Sequence, residues 1–205
     1  MNRQLLVDVI PFEVSREQIT EAANRGGPLV VHGVLQRADA KNQNGRVYPR
    51  PILMREAEKY TEGFIKQKRA LGELDHPDSS VVNLQNTSHN VTEMHWEGDN
   101  LMGKIEVLST PAGNILKELF KGGIKLGISS RGLGSVEAIT EDADGGQQVG
   151  DDFELIAFDF VSNPSTHGAF MHPLKEGVDK NVNDPRVCGD YCKVEAILND
   201  IIRGD

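Results

Sequence analysis

The sequence predicts an α+β domain that is dominated by a mostly antiparallel sheet. Short apolar runs with β-branched residues recur along the chain, and two segments with helical spacing of apolar residues interrupt them. Some of these runs are separated by short turn signals, a pattern typical of antiparallel hairpins. Hydrophobic residues make up 38% of the 205 residues, which is enough to pack one domain of ordinary size.

The first 28 residues are predicted to form a segment separate from the main domain. They contain a short helical candidate, Ser15 to Asn24, with Ser15 as its cap and Gln18 at the capping-box position. A Gly-Gly-Pro stretch then breaks the chain before Leu29 to Leu35, an apolar run that predicts a strand.

A helix and a short strand come next in the predicted order. The polar stretch Asn42 to Pro49 predicts a loop, whereas Pro51 to Lys68 has helical spacing and begins with a proline suited to a first turn. Ala70 to Leu74 predicts a strand that leads directly into Asp75-His76-Pro77.

The next predicted elements are a hairpin and a second helix. Asn90 to Trp96 and Leu101 to Leu108 predict the two strands of the hairpin, joined by a polar turn. Thr110 is suited to cap a helix that begins at Pro111, and the glycine pair at 122 and 123 is suited to end it.

The remainder of the chain is predicted to add strands and then a polar tail. Lys125 to Ile139 predicts one or two strands broken by glycines, Glu141 to Gly150 an acidic hairpin loop, and Phe153 to Val161 a further strand. Beyond Pro173 the composition is polar, apart from a short helical candidate at Val194 to Ile202. We therefore expect three parts: the N-terminal segment 1–28, a main domain 29–174, and a polar linker with a terminal helix 175–205.

Charge and composition narrow the class of protein. The net charge of −9 argues against a general nucleic-acid binder, which needs a basic face to neutralise phosphates. No apolar run approaches the roughly 20 residues that span a bilayer, so we expect no membrane partner and a cytosolic protein. Cys188 and Cys192 lack the spacing and the second pair of a zinc site, and we expect reduced thiols.

Two side chains are candidates for nucleophilic catalysis. His76 follows a predicted strand and precedes Pro77, which restricts it to extended backbone and can hold an imidazole at a strand end. Ser129 and Ser130 lie in Gly-Ile-Ser-Ser-Arg-Gly, where flanking glycines leave room for a substrate backbone. The ordinary alternatives stay open: a structural histidine, and a strand end with exposed serines.

A third group would orient the imidazole. Asp159 lies between apolar neighbours in the last predicted strand, where a carboxylate is costly unless it is paired. Exposure of Asp159 to solvent and a competing role for Asp75 both stay open. The local cluster of Glu73, Asp75, His76 and Asp78 has no recognised metal-ligand spacing, so neither a metal nor another cofactor is predicted.

Three stretches, in this order, resemble the prohead core proteases of T-even-like phages. They are Asn44 to Pro49 (Asn-Gly-Arg-Val-Tyr-Pro), Gly72 to Pro77 (Gly-Glu-Leu-Asp-His-Pro) and Gly127 to Ser135 (Gly-Ile-Ser-Ser-Arg-Gly-Leu-Gly-Ser). Asp159 to Ser165 is similar to the downstream element of that family. The resemblance covers about Val30 to Phe170, which is most of the chain.

The resemblance implies a serine endopeptidase enclosed in the immature phage prohead, within the host cytoplasm. Its substrates would be scaffold and major capsid proteins and finally itself, and its fold would be similar to the herpesvirus assemblin proteases, a β-barrel-like sheet surrounded by helices. By position, the family's histidine falls on His76, its nucleophile on Ser129 and its acid on Asp159. The region that binds oxyanion and substrate falls on Ser130, Arg131 and Gly132.

The family typically cleaves after glutamate, with an aliphatic residue two positions before it. Ile19-Thr20-Glu21-Ala22 fits this pattern, so self-cleavage between Glu21 and Ala22 is expected. Two other functions stay open: an inactive capsid scaffold or core protein of the same fold, and a hydrolase of another ester or amide. The oligomeric state is also open, with a homo-oligomer among the alternatives.

Overall fold

The computed structural model describes residues 3–12, 14, 15, 17, 19, 20, 27–75, 77, 79–139 and 145–162. They all belong to one unit, Met1–His167, and a second unit spans 168–205. Several predicted features lie outside the described residues: the polar linker with its terminal helix, and Glu21, Ala22, His76, Cys188 and Cys192.

The elements follow one another in chain order. They are β1 (Gln4–Phe12), β2 (Val30–Arg37), β3 (Arg46–Val47), α1 (Arg50–Tyr60), a π-helical turn (Thr61–Ile65), β4 (Leu71–Glu73), β5 (Thr87–Glu97), β6 (Asn100–Val107), α2 (Pro111–Lys121), β7 (Leu126–Gly134), β8 (Val136–Ala138), β9 (Gln147–Val149) and β10 (Glu154–Val161). Of the predicted N-terminal helix, Ser15, Glu17, Ile19 and Thr20 are described; Ser15, the predicted cap, is not helical, and the other three are.

The first sheet is antiparallel and has β7 at its centre, between β1 and β10. Strand β1 was not predicted, because Asp8 and Pro11 interrupt its apolar pattern. It nevertheless pairs with β7 over its whole length and buries Leu6 and Phe12 in the core. A main domain that begins at residue 29 therefore leaves out one strand of this sheet.

The second sheet has the order β2-β6-β5-β4, and all of its pairs are antiparallel. Its centre is the predicted hairpin, and a two-residue turn joins Glu97 to Asn100. Gly98 adopts φ +58° in that turn, a left-handed conformation that glycine reaches without steric cost.

The two sheets meet where β4 ends. Leu74 forms a parallel bridge with Phe160 of β10, and the Asp75 amide donates to the Phe160 carbonyl at 2.7 Å. On its way out of β4, the chain therefore runs beside β10, on the side away from β7.

The helices begin and end largely as predicted. Pro51 lies in the first turn of α1, which passes into the π-helical turn after Tyr60. In α2 the Thr110 hydroxyl accepts a hydrogen bond from the Gly113 amide at 3.0 Å, and Gly123 follows the helix with φ +71°.

A small third sheet contains two strands that the sequence did not reveal, of which β3 lies within the stretch Asn42 to Pro49 that was predicted as a polar loop. Strand β9 lies within the stretch predicted as an acidic hairpin loop, and pairs in parallel with β3 and antiparallel with β8. No helix in the described parts of the chain is long and apolar enough to cross a membrane. The prediction of a mostly antiparallel α+β fold is confirmed by the two larger sheets and the helices beside them.

Candidate active site

Ser129 lies at the centre of β7, with Val9 of β1 on one side and Asp159 of β10 on the other. Its side chain is fully buried. Within the described part of the chain its hydroxyl oxygen has no hydrogen-bond partner. A buried polar atom without a partner is costly, and each one in a native protein needs an explanation, of which a catalytic role is one.

Asp159 lies opposite Ser129 in the antiparallel pair, so the two side chains lie on the same face of the sheet. The carboxylate accepts from the Glu73 amide at 3.0 Å and from two nitrogens of Arg131, at 2.8 and 3.2 Å. Burial raises the pKa of Asp159 above its ordinary value, and the Arg131 guanidinium offsets part of that rise.

Arg131, two residues beyond Ser129, has a fully buried guanidinium that is committed to other protein groups. Besides Asp159 it donates to a carboxylate oxygen of Glu73 at 3.1 Å and to the carbonyl of Ser79 at 2.6 Å. One positive charge thus faces two buried carboxylates. The guanidinium is predicted to lie beside the oxyanion; its described donors bond Asp159, Ser79 and Glu73, and the oxyanion role stays a prediction.

The other two residues expected near the oxyanion also have structural partners. Ser130 faces the opposite side of the sheet, where its hydroxyl accepts from the Gln36 amide at 2.7 Å. Gly132 has no room for a side chain, since an added Cβ would lie 2.4 Å from the Phe153 ring and 2.6 Å from the Glu154 carbonyl. Because β7 is paired on both sides, their backbone amides face neighbouring strands, and an oxyanion role for this segment stays a prediction.

His76 lies outside the described residues, but the chain leading towards it does not. Glu73 and Leu74 adjoin β10 at Asp159 and Phe160. The fold therefore brings three stretches that are distant in sequence to one place: β7 with the serine, β10 with the aspartate, and the end of β4, three residues before the predicted base.

The Asn-Gly-Arg-Val-Tyr-Pro motif has a structural explanation. Asn44, Arg46 and Tyr48 all donate to the carboxylate of Asp8, which is buried in β1 beside β7. Burial and the Asp8 carboxylate hold the pKa of Tyr48 well above its ordinary value. The motif thus supplies three donors to a buried acid. Sequence analysis missed this partner because Asp8 lies more than 30 residues before the motif.

His89 is a second histidine with a defined environment. One ring nitrogen lies 3.0 Å from the Phe158 carbonyl and the other 2.8 Å from the Ser88 hydroxyl, and the ring is fully buried. Burial lowers the pKa of His89 to about 4, and the bond to Phe158 opposes that shift. The ring packs edge-on against Phe160, so His89 has the environment of a neutral core residue.

A groove of about 630 Å³ lies between α1, the π-helical turn and the loop at 80–82. Two cationic side chains contribute to its lining: Lys59, paired with Glu56, and Arg69, whose guanidinium covers the Phe64 ring at 4.6 Å. Among the described residues, no group of three His, Cys, Asp or Glu side chains could hold a metal ion.

Three comparisons with known proteins agree on one family. The family model described as prohead core protein serine protease matches residues 6–181. The prohead core protein protease of Enterobacteria phage T4 is 32% identical over 171 residues, which cover 82% of this chain and 78% of that protein. The solved structure of the bacteriophage T4 capsid assembly protease superposes with a TM-score of 0.70 at 27% identity, covering 80% of this chain and all of that chain. This chain therefore belongs to the prohead core protein serine protease family.

Proposed function

We propose that this protease acts through Ser129 as nucleophile, His76 as general base and Asp159 as the acid that supports the base. The observation that carries the proposal is the buried Ser129 hydroxyl without a partner among the described residues, in register with Asp159. Asp159 is in turn bonded to Glu73, at the end of the strand that leads to His76.

The proposed reaction is acyl transfer. His76 takes the proton from Ser129, whose oxygen attacks the peptide carbonyl to form a tetrahedral intermediate. The same imidazole then protonates the leaving amine, and water hydrolyses the acyl-enzyme with His76 again as base. Because the Ser130 and Arg131 side chains are engaged elsewhere, the oxyanion would need backbone amides as donors.

The proposed substrates are the scaffold and major capsid proteins of the phage that encodes the chain. Support comes from the relatives, which are named a prohead core protein protease and a capsid assembly protease. The site of action would then be the interior of the immature prohead, in the host cytoplasm. The inactive scaffold is not favoured, because both relatives are named proteases. Self-association is a separate prediction, which sedimentation at several concentrations tests.

We also propose cleavage after glutamate, and self-cleavage between Glu21 and Ala22. The groove is the candidate site for the glutamate carboxylate, because a buried or half-buried anion needs a cationic partner. Glu56 and Glu154 also line it and Glu56 pairs with Lys59, so Arg69 is the cation proposed to bind the substrate. A cut at residue 21 would leave β1 held to the rest of the protein by noncovalent contacts, among them its pairing with β7 and the bonds to Asp8.

The finer description of the fold also belongs to this proposal: a barrel-like sheet similar to the assemblin proteases. Support comes from the bridge between Leu74 and Phe160, which joins the two larger sheets on one side. On the other side Phe12 of β1 lies against Gly33 of β2, where an added Cβ would be 2.7 Å from the ring.

Matched peptides test the specificity. The folded protein is given a peptide with the sequence Ile-Thr-Glu-Ala and its Ile-Thr-Gln-Ala counterpart, and kcat/KM is measured for both. We expect at least tenfold preference for the glutamate peptide, and loss of that preference in Arg69→Gln. Equal cleavage of both peptides by the wild type would remove the glutamate proposal. Cleavage of both by Ser129→Ala would remove the assigned nucleophile.

A further inference from the structure

Arg131 connects the nucleophile strand to both flanks of the segment that carries the predicted base. Its guanidinium bonds Glu73 at 3.1 Å and the Ser79 carbonyl at 2.6 Å. Glu73 lies three residues before His76 and Ser79 three residues after it. On its third side the guanidinium binds Asp159 through two nitrogens.

The geometry suits a rigid connection, called here the clamp, in which the Arg131 guanidinium holds Glu73, Ser79 and Asp159 together. A guanidinium is planar, always charged, and presents its donors in a fixed fork, whereas a lysine ammonium is a single point on a flexible stem. Arg131 uses three different nitrogens on three different acceptor residues, and all of it is buried. Few substitutions could satisfy Glu73, Ser79 and Asp159 together.

On its N-terminal side the segment between the two clamped residues has further described contacts with the first sheet, namely the bond of the Glu73 amide to Asp159 and the bridge between Leu74 and Phe160. The Asp75 amide bonds the Phe160 carbonyl, and the Asn83 amide bonds the same Glu73 oxygen that Arg131 holds. Loss of the guanidinium would therefore free the Glu73 side chain and the Ser79 carbonyl together, while β4 kept its pairing with β5 and the Glu73 amide kept its bond to Asp159.

We propose that Arg131 is a positioning residue that fixes the segment 74–78 relative to Ser129. This inference rests on the proposed function, in which that segment supplies the base. It assigns Arg131 no contact with the reacting atoms. Its contribution is to keep base and nucleophile at a constant separation, and displacements of about 1 Å can cost about 100-fold in rate.

The first arm of the test uses hydrogen exchange and does not depend on protease activity. Full-length Ser129→Ala, which cannot cleave itself under the proposal, is compared with Ser129→Ala/Arg131→Lys. We expect at least tenfold faster exchange in peptides covering 73–79, and unchanged exchange in peptides covering the β5–β6 hairpin. Arg55→Lys is the control, because Arg55 also bonds two acids and two carbonyls but is partly exposed and lies on α1. Unchanged exchange at 73–79 would overturn the clamp.

The second arm measures peptide cleavage in the active background. Arg131→Lys is expected to lower kcat at least tenfold with KM within twofold, whereas Arg55→Lys leaves both unchanged. Faster exchange with unaltered kcat would overturn the positioning role. If folded wild type cleaves nothing, the proposed function fails, and the role of Arg131 in catalysis fails with it. The exchange experiment still shows whether Arg131 holds residues 73–79 in place.

A second variant covers the case in which Arg131→Lys does not fold. Glu73→Gln keeps the shape of the side chain but removes the ionic partner on one flank. It should accelerate exchange at 73–79 and lower kcat in the same direction by a smaller factor. Wild-type values of both quantities in folded Glu73→Gln would contradict the proposal.

Discussion

Ser129 and Asp159 lie directly opposite each other on neighbouring antiparallel strands, and both are fully buried. Only one of them is satisfied by the described residues. Asp159 accepts three hydrogen bonds, whereas the Ser129 hydroxyl accepts and donates none. This contrast between a well-bonded acid, which has acceptor capacity left, and an unpartnered hydroxyl distinguishes Asp159 from the proposed nucleophile.

The two adjacent serines should respond in opposite ways to alanine substitution. Ser129→Ala removes a buried hydroxyl without a described partner, so the free energy of unfolding should stay constant or rise by up to about 1 kcal/mol. Adding Ser130→Ala in that background leaves the buried Gln36 amide unpaired and should cost about 1–3 kcal/mol. Urea unfolding measures both. A large loss for Ser129→Ala alone would mean that its hydroxyl is structurally bonded.

Arg131 should be far more important for stability than an exposed ion pair. In the Ser129→Ala background, Arg131→Met leaves Asp159 and Glu73 buried without a counter-charge and should cost about 3–5 kcal/mol. The control is Lys66→Met, which breaks an exposed pair with Glu62 and should cost less than about 0.5 kcal/mol. Equal losses in the two variants, measured by denaturant unfolding, would contradict a buried charge cluster.

Gly72 should not tolerate even one methyl group. Its added Cβ would lie 2.0 Å from the Phe158 carbonyl oxygen and 2.2 Å from the His89 ring, so Gly72→Ala must push β4 away from β10. We expect a loss of about 3 kcal/mol or more, at the upper end of overpacking effects. Gly63→Ala is the control, because nothing lies within 4 Å of its added Cβ. Thermal unfolding distinguishes them, and similar melting temperatures would count against the close contact.

The tyrosines 48 and 60 offer a second matched pair. Tyr48→Phe removes a hydroxyl donor from the buried Asp8 carboxylate and should cost about 1–3 kcal/mol. The Tyr60 hydroxyl has no partner among the described residues, so Tyr60→Phe should be neutral or slightly stabilising. Chemical unfolding of both variants gives the comparison. The reverse order of stabilities would show that Asp8 does not depend on the motif.

His89 should make the fold less stable as the pH falls. Its pKa in the folded protein is about 4, below the ordinary value of 6.5, so the unfolded chain binds the extra proton first. Between pH 6.5 and pH 4 this residue should remove about 3 kcal/mol from the free energy of unfolding, with little further loss below pH 4. The loss should be absent in His89→Gln. An identical pH dependence in both proteins would mean that folding does not lower the pKa of His89.

Much of the fold could be predicted from local sequence. The β5–β6 hairpin and α2 have strong signals, namely alternation around a glycine turn, and a threonine cap before proline. Strand β1 could not be found in this way, since Asp8 and Pro11 break its pattern. The strand buries the Asp8 carboxylate, which is possible because Asn44, Arg46 and Tyr48 donate hydrogen bonds to it. The hydrogen-bond partners of the buried Asp8 carboxylate are distant in sequence, so the residues around Asp8 do not reveal them.

In the candidate site, too, some features could be predicted from local sequence and others could not. Ser129 and Asp159 were singled out by residue type and neighbours, and their juxtaposition depends on the register between β7 and β10. The support from Arg131 and Glu73 was missed, because an arginine beside two serines was interpreted as a group facing the substrate. A signal was present: Arg131 is the only charged residue between Leu126 and Gly134, a stretch otherwise suited to a buried central strand.

The most direct test of the account is intact-mass analysis of wild type, Ser129→Ala and Ser130→Ala, each incubated at high concentration with the major capsid protein of the same phage. The account predicts fragments from the wild type, slower but identical fragments from Ser130→Ala, and none from folded Ser129→Ala. Fragments from Ser129→Ala, or their loss only in Ser130→Ala, would contradict the assignment of Ser129 as the nucleophile.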